Sequence, residues 1–174
     1  MEMTRRKLMT GPRYLNFVLG DESYGIEIKK VKELMGMTTI TPIPQTPPFI
    51  RGFINLRGQI IPIVDLRLKF GLPFREYTKR TSIIVVEVPF GGETLLMGLV
   101  VDSIRDVASV PDDKVNRVPY INAKVHSEYI IGVANLEGGA MVILDVVKIL
   151  NSDEFVQLKG AEETGALQAQ GERV

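Results

Sequence analysis

Few residues in this chain could do chemistry, and their spacing points away from catalysis. His126 is the only histidine among the 174 residues, and there is no cysteine. That removes disulfides, cysteine nucleophiles and Cys-based zinc sites, and it leaves His126 without a second imidazole or thiolate to share a metal. His126 stands in the polar stretch AKVHSE and reads as a solvated surface residue. Asp112 and Asp113 follow Pro111, a sequence that makes a turn before it makes a cation site. Neither common nucleotide loop, G-x-G-x-x-G or G-x-x-x-x-G-K-[ST], is present, and no G-x-S-x-G nucleophile elbow occurs.

Two aspartates remain, and each closes a copy of the same sentence. NLRGQIIPIVDLR runs from Asn55 to Arg67, and NLEGGAMVILDVV from Asn135 to Val147. Residues 49–71 and 129–151 align without a gap. Ile50, Gly52, Asn55, Leu56, Gly58, Ile63 and Asp65 meet Ile130, Gly132, Asn135, Leu136, Gly138, Ile143 and Asp145, and Phe49 meets Tyr129. Acid–base work needs two carboxylates in one cleft. Here each aspartate has its own strand-to-helix corner, where a carboxylate accepts orphan amide hydrogens. Asp65 and Asp145 are therefore expected to be caps. A weaker echo links YGIEIKKVKEL to MGLVVDSIRDV. The chain reads as two copies of one small β unit.

The elements follow from period and punctuation. YLNFVLG and YGIEI read as strands around the turn DES, with Tyr24, Ile26 and Ile28 alternating against Gly25 and Glu27. KKVKELMGM is either a further strand or a helical turn. Prolines between Pro42 and Pro48 make an extended loop. Within it, PQTP matches PxxP, but apolar FIRGFI follows at once, which favours a stiff internal connection. Pro62 inside QIIPIVD suggests an edge strand or a bulge. TSIIVVEV and TLLMGLVVD are strands around the turn PFGGE. SIRDVASVPDDKVNRVPYINAKVHSE reads mostly as connection. Asp65 caps a short helix at LRLKF and Asp145 caps VVKIL. Asn151 and Glu154 have capping-box spacing before a last helix over about 152–159. Many short strands, few helices and Gly/Pro-rich turns give an all-β fold. Residues 1–12 are expected to be a flexible leader, 13–159 the folded domain, and 160–174 a disordered tail.

Lys and Arg total 21, as do Asp and Glu. A balanced charge gives no long-range attraction to nucleic acid or to an anionic membrane. No apolar run approaches the roughly 18 residues of a membrane helix, and the start has no secretory apolar segment. A cytoplasmic protein is expected. Arg57, at the tip of the NLRG turn, is open to two readings, a solvated charge or a partner for an acid such as Glu33. No cofactor or metal is expected, which leaves a two-lobed β module that binds something.

Four segments, LNFVLGDESYGIEIKKVKEL, FIRGFINLRGQIIPIVDLRLKFG, MGLVVDSIRDVASV and EYIIGVANLEGGAMVILDVVKILN, resemble in order the CheW-like family of bacterial chemotaxis coupling proteins. The resemblance covers about Tyr14 to Phe155. It implies two intertwined five-stranded SH3-like barrels around a shared core, with short helices including a C-terminal one. It implies no enzymatic activity, and a place in receptor arrays at the inner face of the membrane. The implied partners are the regulatory domain of the histidine kinase CheA and the cytoplasmic tips of methyl-accepting chemotaxis receptors. The family's turn arginine falls on Arg57 and its acid partner on Glu33, an expected structural ion pair. Val31 and Gly52 fall on the kinase-contacting surface. Val107 falls in the receptor region, with Arg57; Ile28, Val101 and Ile104 are assigned to the same receptor interface and, with Val31, are expected to line the groove between barrels. The hairpin around Glu87 to Thr94 is a few residues longer than the usual form. A non-motility adaptor of the same fold and a small-ligand β-barrel are the alternatives; the second needs a cavity of several hundred Å³ with converging polar groups.

Overall fold

A computed structural model describes residues 11–117, 127–151 and 153–160. His126, residues 1–10 of the expected leader and residues 161–174 of the expected tail lie outside the described residues. Eleven strands occur among the described residues: β1 (Arg13–Leu19), β2 (Glu22–Glu27), β3 (Val31–Gly36), β4 (Ile50–Leu56), β5 (Gln59–Asp65), β6 (Ser82–Phe90), β7 (Glu93–Val101), β8 (Ser103–Ser109), β9 (Val115–Asn116), β10 (Ile130–Leu136) and β11 (Gly139–Leu144). Among the described residues, α1 (Leu66–Lys69) follows the first repeated corner, a 3-10 turn (Val146–Lys148) follows the second, and a longer helix, α2 (153–160), comes after it.

The strands form two sheets, β8-β1-β2-β11-β10-β9 and β3-β6-β7-β5-β4. The all-β reading holds, with six and five strands rather than five and five. The sixth is β9, two residues long. The repeat explains the order. The first copy supplies β1 to β5, and the second supplies β6, β7, β8, β10 and β11. Each sheet takes the opening hairpin of one copy and the last three strands of the other. The copies meet twice in each sheet, once antiparallel, β1 with β8 or β3 with β6, and once parallel: Ile143 of β11 lies opposite Gly25 of β2, and Ile63 of β5 lies opposite Gly98 of β7. The copies have exchanged strands, which is the physical content of intertwining.

Strand alternation then feeds three cores. Along β6, Ile84, Val86 and Val88 face a cluster shared by both lobes, while Ile83 and Val85 face a cluster private to the second sheet. Along β1, Leu15, Phe17 and Leu19 face the shared cluster and Tyr14 faces one private to the first sheet. A strand buried on both faces reads as a continuous apolar run instead of an alternating one, and SIIVVEV is such a run.

The corners are built as the repeat requires. Asp65 caps α1 by accepting from the Leu68 amide at 3.3 Å, and Asp145 accepts from the Val147 amide at 3.0 Å. The backbone N–H of Asp65 donates to the Phe49 carbonyl at 2.7 Å, and that of Asp145 to the Tyr129 carbonyl at 2.8 Å. At the last helix, Asn151 and Glu154 exchange amide bonds at 2.8 and 2.9 Å, a reciprocal capping box. KKVKELMGM takes both forms left open, a 3-10 turn over Ile28–Lys30 and then β3.

Two expectations need correction. The segment after Asp102 is not mostly connection, because Ser103–Ser109 forms β8. As an edge strand it has one neighbour and buries neither face fully, so its sequence carries no clean alternation. Pro62 marks neither an edge nor a bulge on its own strand, since β5 lies between β4 and β7. Phe53, opposite Pro62, turns its N–H and C=O away to Thr41. The Pro62 nitrogen therefore faces β7, whose ladder with β5 begins only at Ile63, and no donor is called for there.

Candidate interaction surfaces

β3 alternates between half-buried Val31, Glu33 and Met35 and exposed Lys32, Leu34 and Gly36. That places Glu33 on the side facing the barrel. The β4–β5 turn carries Arg57 at φ 52 and Gly58 at φ 84, the two positive angles of a type I′ hairpin. The Asn55 side chain accepts from the Gly58 amide at 2.9 Å. This turn aims the Arg57 guanidinium at Glu33, and the two form an ion pair. β3 and β4 are the opposite edges of one sheet. The pair therefore straps the seam where the barrel closes, beside the backbone bridge between Thr41 and Phe53. The Arg57 side chain stays 73% exposed, so this is a largely solvated strap.

Gly52 has a different role from the one its position suggests. It is buried at φ 136, and a Cβ there would lie 1.9 Å from the Thr41 carbonyl oxygen. The backbone that approaches Gly52 is the chain's own. Any substitution there breaks the seam and reports nothing about a partner.

The groove residues separate. Ile28, Val31 and Ile104 are half-buried and pack on the shared core. Val101 is 1% exposed and belongs to that core, so it does not line the groove in which the family resemblance places it. Val107 is 40% exposed on β8. Arg57 is held to β3 in the second sheet, whereas Val107 and Ile104 lie on β8 at the edge of the first. The structure does not bring Arg57 together with them.

Sequence reasoning missed Leu34, 44% exposed on β3. The signal was available, because the echo of YGIEIKKVKEL in MGLVVDSIRDV sets Leu34 against Val107. Among the described residues, the two exposed large hydrophobic side chains in strands thus occupy equivalent positions on the edge strands of different sheets. Also missed was a buried charge cluster. Asp102 accepts from the Arg67 guanidinium at 2.7 Å and from the Gly20 amide at 2.7 Å, and Arg75 approaches it at 3.5 Å. It ties the β1–β2 turn to α1 and so joins one sheet to the other.

The last helix braces one side of the β6–β7 hairpin, whose tip, Gly91 to Thr94, stays exposed. Phe90 stacks on Phe155 of α2 at 5.1 Å, and Lys159 pairs with Glu93 at 3.1 Å. Lys69 of α1 reaches Glu154 at 2.6 Å, with both side chains largely buried. In the proline loop, the Thr46 hydroxyl donates to the Ile43 carbonyl at 3.1 Å, which closes PQTP into a local turn. Among the described residues, no three His, Cys, Asp or Glu side chains gather where they could hold a metal. No helix among them is long and apolar enough to cross a membrane.

Comparison with known proteins decides the family. The model of the CheW-like domain matches residues 13–154. The chain belongs to the CheW-like family. It is 39% identical over 145 residues to the chemotaxis protein CheW of Klebsiella aerogenes, covering 83% of this chain and 85% of that protein. It is 32% identical over 144 residues to CheW of Rhizobium meliloti, covering 83% and 90%. The crystal structure of the scaffolding protein TtCheW from Thermoanaerobacter tengcongensis superimposes with a TM-score of 0.74 at 31% identity, covering 83% of this chain and 96% of that one. A scaffold role in chemotaxis signalling is thus the character of the family to which these lobes belong.

Proposed function

We propose that this chain is a non-catalytic cytoplasmic adaptor that couples the signalling tips of chemoreceptors to the histidine kinase CheA within receptor arrays. One observation supports the reading above the others: Leu34 and Val107 sit at equivalent places on two edge strands that belong to different sheets. An adaptor must hold two partners at once, and overlapping patches would make them exclude each other. The strand exchange supplies two related but separate edges. The β3 edge, with Val31 and Leu34, is the kinase surface. The β8 edge, with Ile104 and Val107, is the receptor surface. Ile28 packs beneath the first, and Arg57 serves it as the strap on Glu33.

Leu34→Asp and Val107→Asp test this by titration calorimetry against the kinase regulatory domain and a receptor cytoplasmic fragment separately. A charge that must be desolvated at a contact costs about 1–3 kcal/mol. Leu34→Asp should weaken the kinase alone, and Val107→Asp the receptor alone. Both side chains are exposed, so the fold should survive. Equal loss of both partners in both variants would reject the two-edge reading.

A further inference from the structure

A cleft of about 790 Å³ opens between the link after α1 and the start of β8. Its walls carry four cations, Arg75, Lys79, Arg80 and Arg105, against two acids, Glu76 and Asp102. Asp102 is already engaged by Arg67, Arg75 and the Gly20 amide, so its charge is answered from within. Neither Lys79, Arg80 nor Arg105 has an ionic partner among the described residues; Arg105 donates to the Ser23 hydroxyl at 3.0 Å. Like charges gathered around a concave surface focus a field that attracts anions. The chain as a whole has no net charge, so this cleft is a local departure.

The arrangement discriminates between anions. A compact phosphate is held by converging backbone amides. Here the nearby amides are spent: Gly20 donates to Asp102, Thr78 to the Thr81 hydroxyl, and Arg80 to the Thr78 hydroxyl. The cations stand instead on separate segments, the link and β8, and Val18 and Ile104 add apolar surface to the same lining. Single charges carried on separate segments beside apolar surface match successive carboxylates on a polypeptide. We propose that this cleft docks an acidic segment of a partner protein, its glutamate or aspartate side chains meeting Lys79, Arg80 and Arg105.

The test needs no assumption about receptor or kinase. The full ¹⁵N-labelled chain is titrated with a short synthetic peptide of alternating glutamate and alanine. The lysine–alanine peptide and sodium pyrophosphate are run alongside. The glutamate peptide should shift amide signals of Gly20, of 75–82 and of 103–105, and raised salt should reverse the shifts. The lysine peptide should not produce them, and pyrophosphate should bind more weakly than the glutamate peptide. Lys79→Glu with Arg80→Glu should weaken the glutamate peptide about tenfold or more. Arg105→Ser, on a different element, should weaken it less, and both variants should keep the dispersed amide spectrum of the folded chain. Shifts elsewhere, unchanged affinity in both variants, or tighter binding of pyrophosphate than of peptide would each overturn the assignment.

Discussion

The two lobes are made from the same strands and close in different ways. In the first, Glu33 and Arg57 pair across the seam. The equivalent positions in the second are Asp106 and Glu137, two acids that cannot pair. The turns differ too: positive φ falls on Arg57 and Gly58 in the first, but on Gly139 in the second. What both lobes keep is a backbone approach at a repeated glycine. Thr41 bridges Phe53 beside Gly52, and Asn116 of β9 pairs with Val133 beside Gly132. Closure therefore rests on main-chain contact, and the ion pair is an addition made by one lobe.

The largest expected effect tests that contact directly. At Gly52 a Cβ would lie 1.9 Å from the Thr41 carbonyl oxygen and would also force a side chain onto φ 136. At Gly132 it would lie 2.7 Å from the Asn116 carbonyl oxygen, with no left-handed angle to satisfy. Gly52→Ala should cost about 3 kcal/mol or more, and Gly132→Ala about 1–2 kcal/mol, in urea melts. Equal costs would mean that the two seams are equivalent after all.

Next comes the ion pair beneath α2, a helix that only the second repeat carries. The Lys69 and Glu154 side chains are 15% and 12% exposed, so removing one leaves a poorly solvated charge. Glu154→Ala should lower stability by about 2–3 kcal/mol, and Lys69→Met with Glu154→Leu should recover most of it. Simple additivity of the two sites would place the cost in the lost helix cap instead.

The strap of the first lobe should be worth less, because Arg57 is mostly in water. A cycle of Glu33→Ala, Arg57→Ala and the double variant should give a coupling of about 0.5 kcal/mol, reduced by salt. Glu137→Arg carries the experiment to the other lobe. It sets a cation opposite Asp106 and should raise stability by about 0.3 kcal/mol. A decrease would show that the altered turn points residue 137 elsewhere.

The smallest effect is a pH dependence confined to alkaline solution. Burial and the charge of Asp65, which accepts the Tyr77 hydroxyl at 2.9 Å, push the Tyr77 phenol up to about 12. Its folded value lies above its unfolded one, so the contribution is complete below pH 10 and fades as pH rises toward 12. Tyr77→Phe should flatten the stability profile in that window and remove a late phenolate from the absorbance titration.

Local features were legible because local rules produce them. The repeat gave the two corners, Asn151 and Glu154 gave the capping box, and alternation gave β1 and β2. The family resemblance supplied the Glu33–Arg57 pair. Non-local features were not legible. Nothing in the period of β2 says that its parallel neighbour is β11, and nothing near Asp102 announces that Arg67 will pair with it. The family resemblance places Val101 in the groove, and its apolar character at a strand end does not say which way the side chain turns. Pro62 was misjudged because its missing donor matters only where a ladder is present, and the β7 ladder starts one residue later.

The exchanged strands also set an order of events while the chain is being made. The sheet β3-β6-β7-β5-β4 has all its members once Val101 has emerged, whereas β1 and β2, the earliest of the described strands, gain no second neighbour until β8 and β11 arrive. β11 ends at Leu144. At synthesis rates of about 5–20 residues per second, that is a wait of several seconds. Through it the earliest hairpin holds Leu15, Phe17 and Ile26, all but fully buried in the finished protein, with no completed sheet to receive them. Of the described strands, the earliest pair is the last to be housed, and during that interval the nascent chain presents a sticky two-stranded ribbon to chaperones and to its neighbours on the same message.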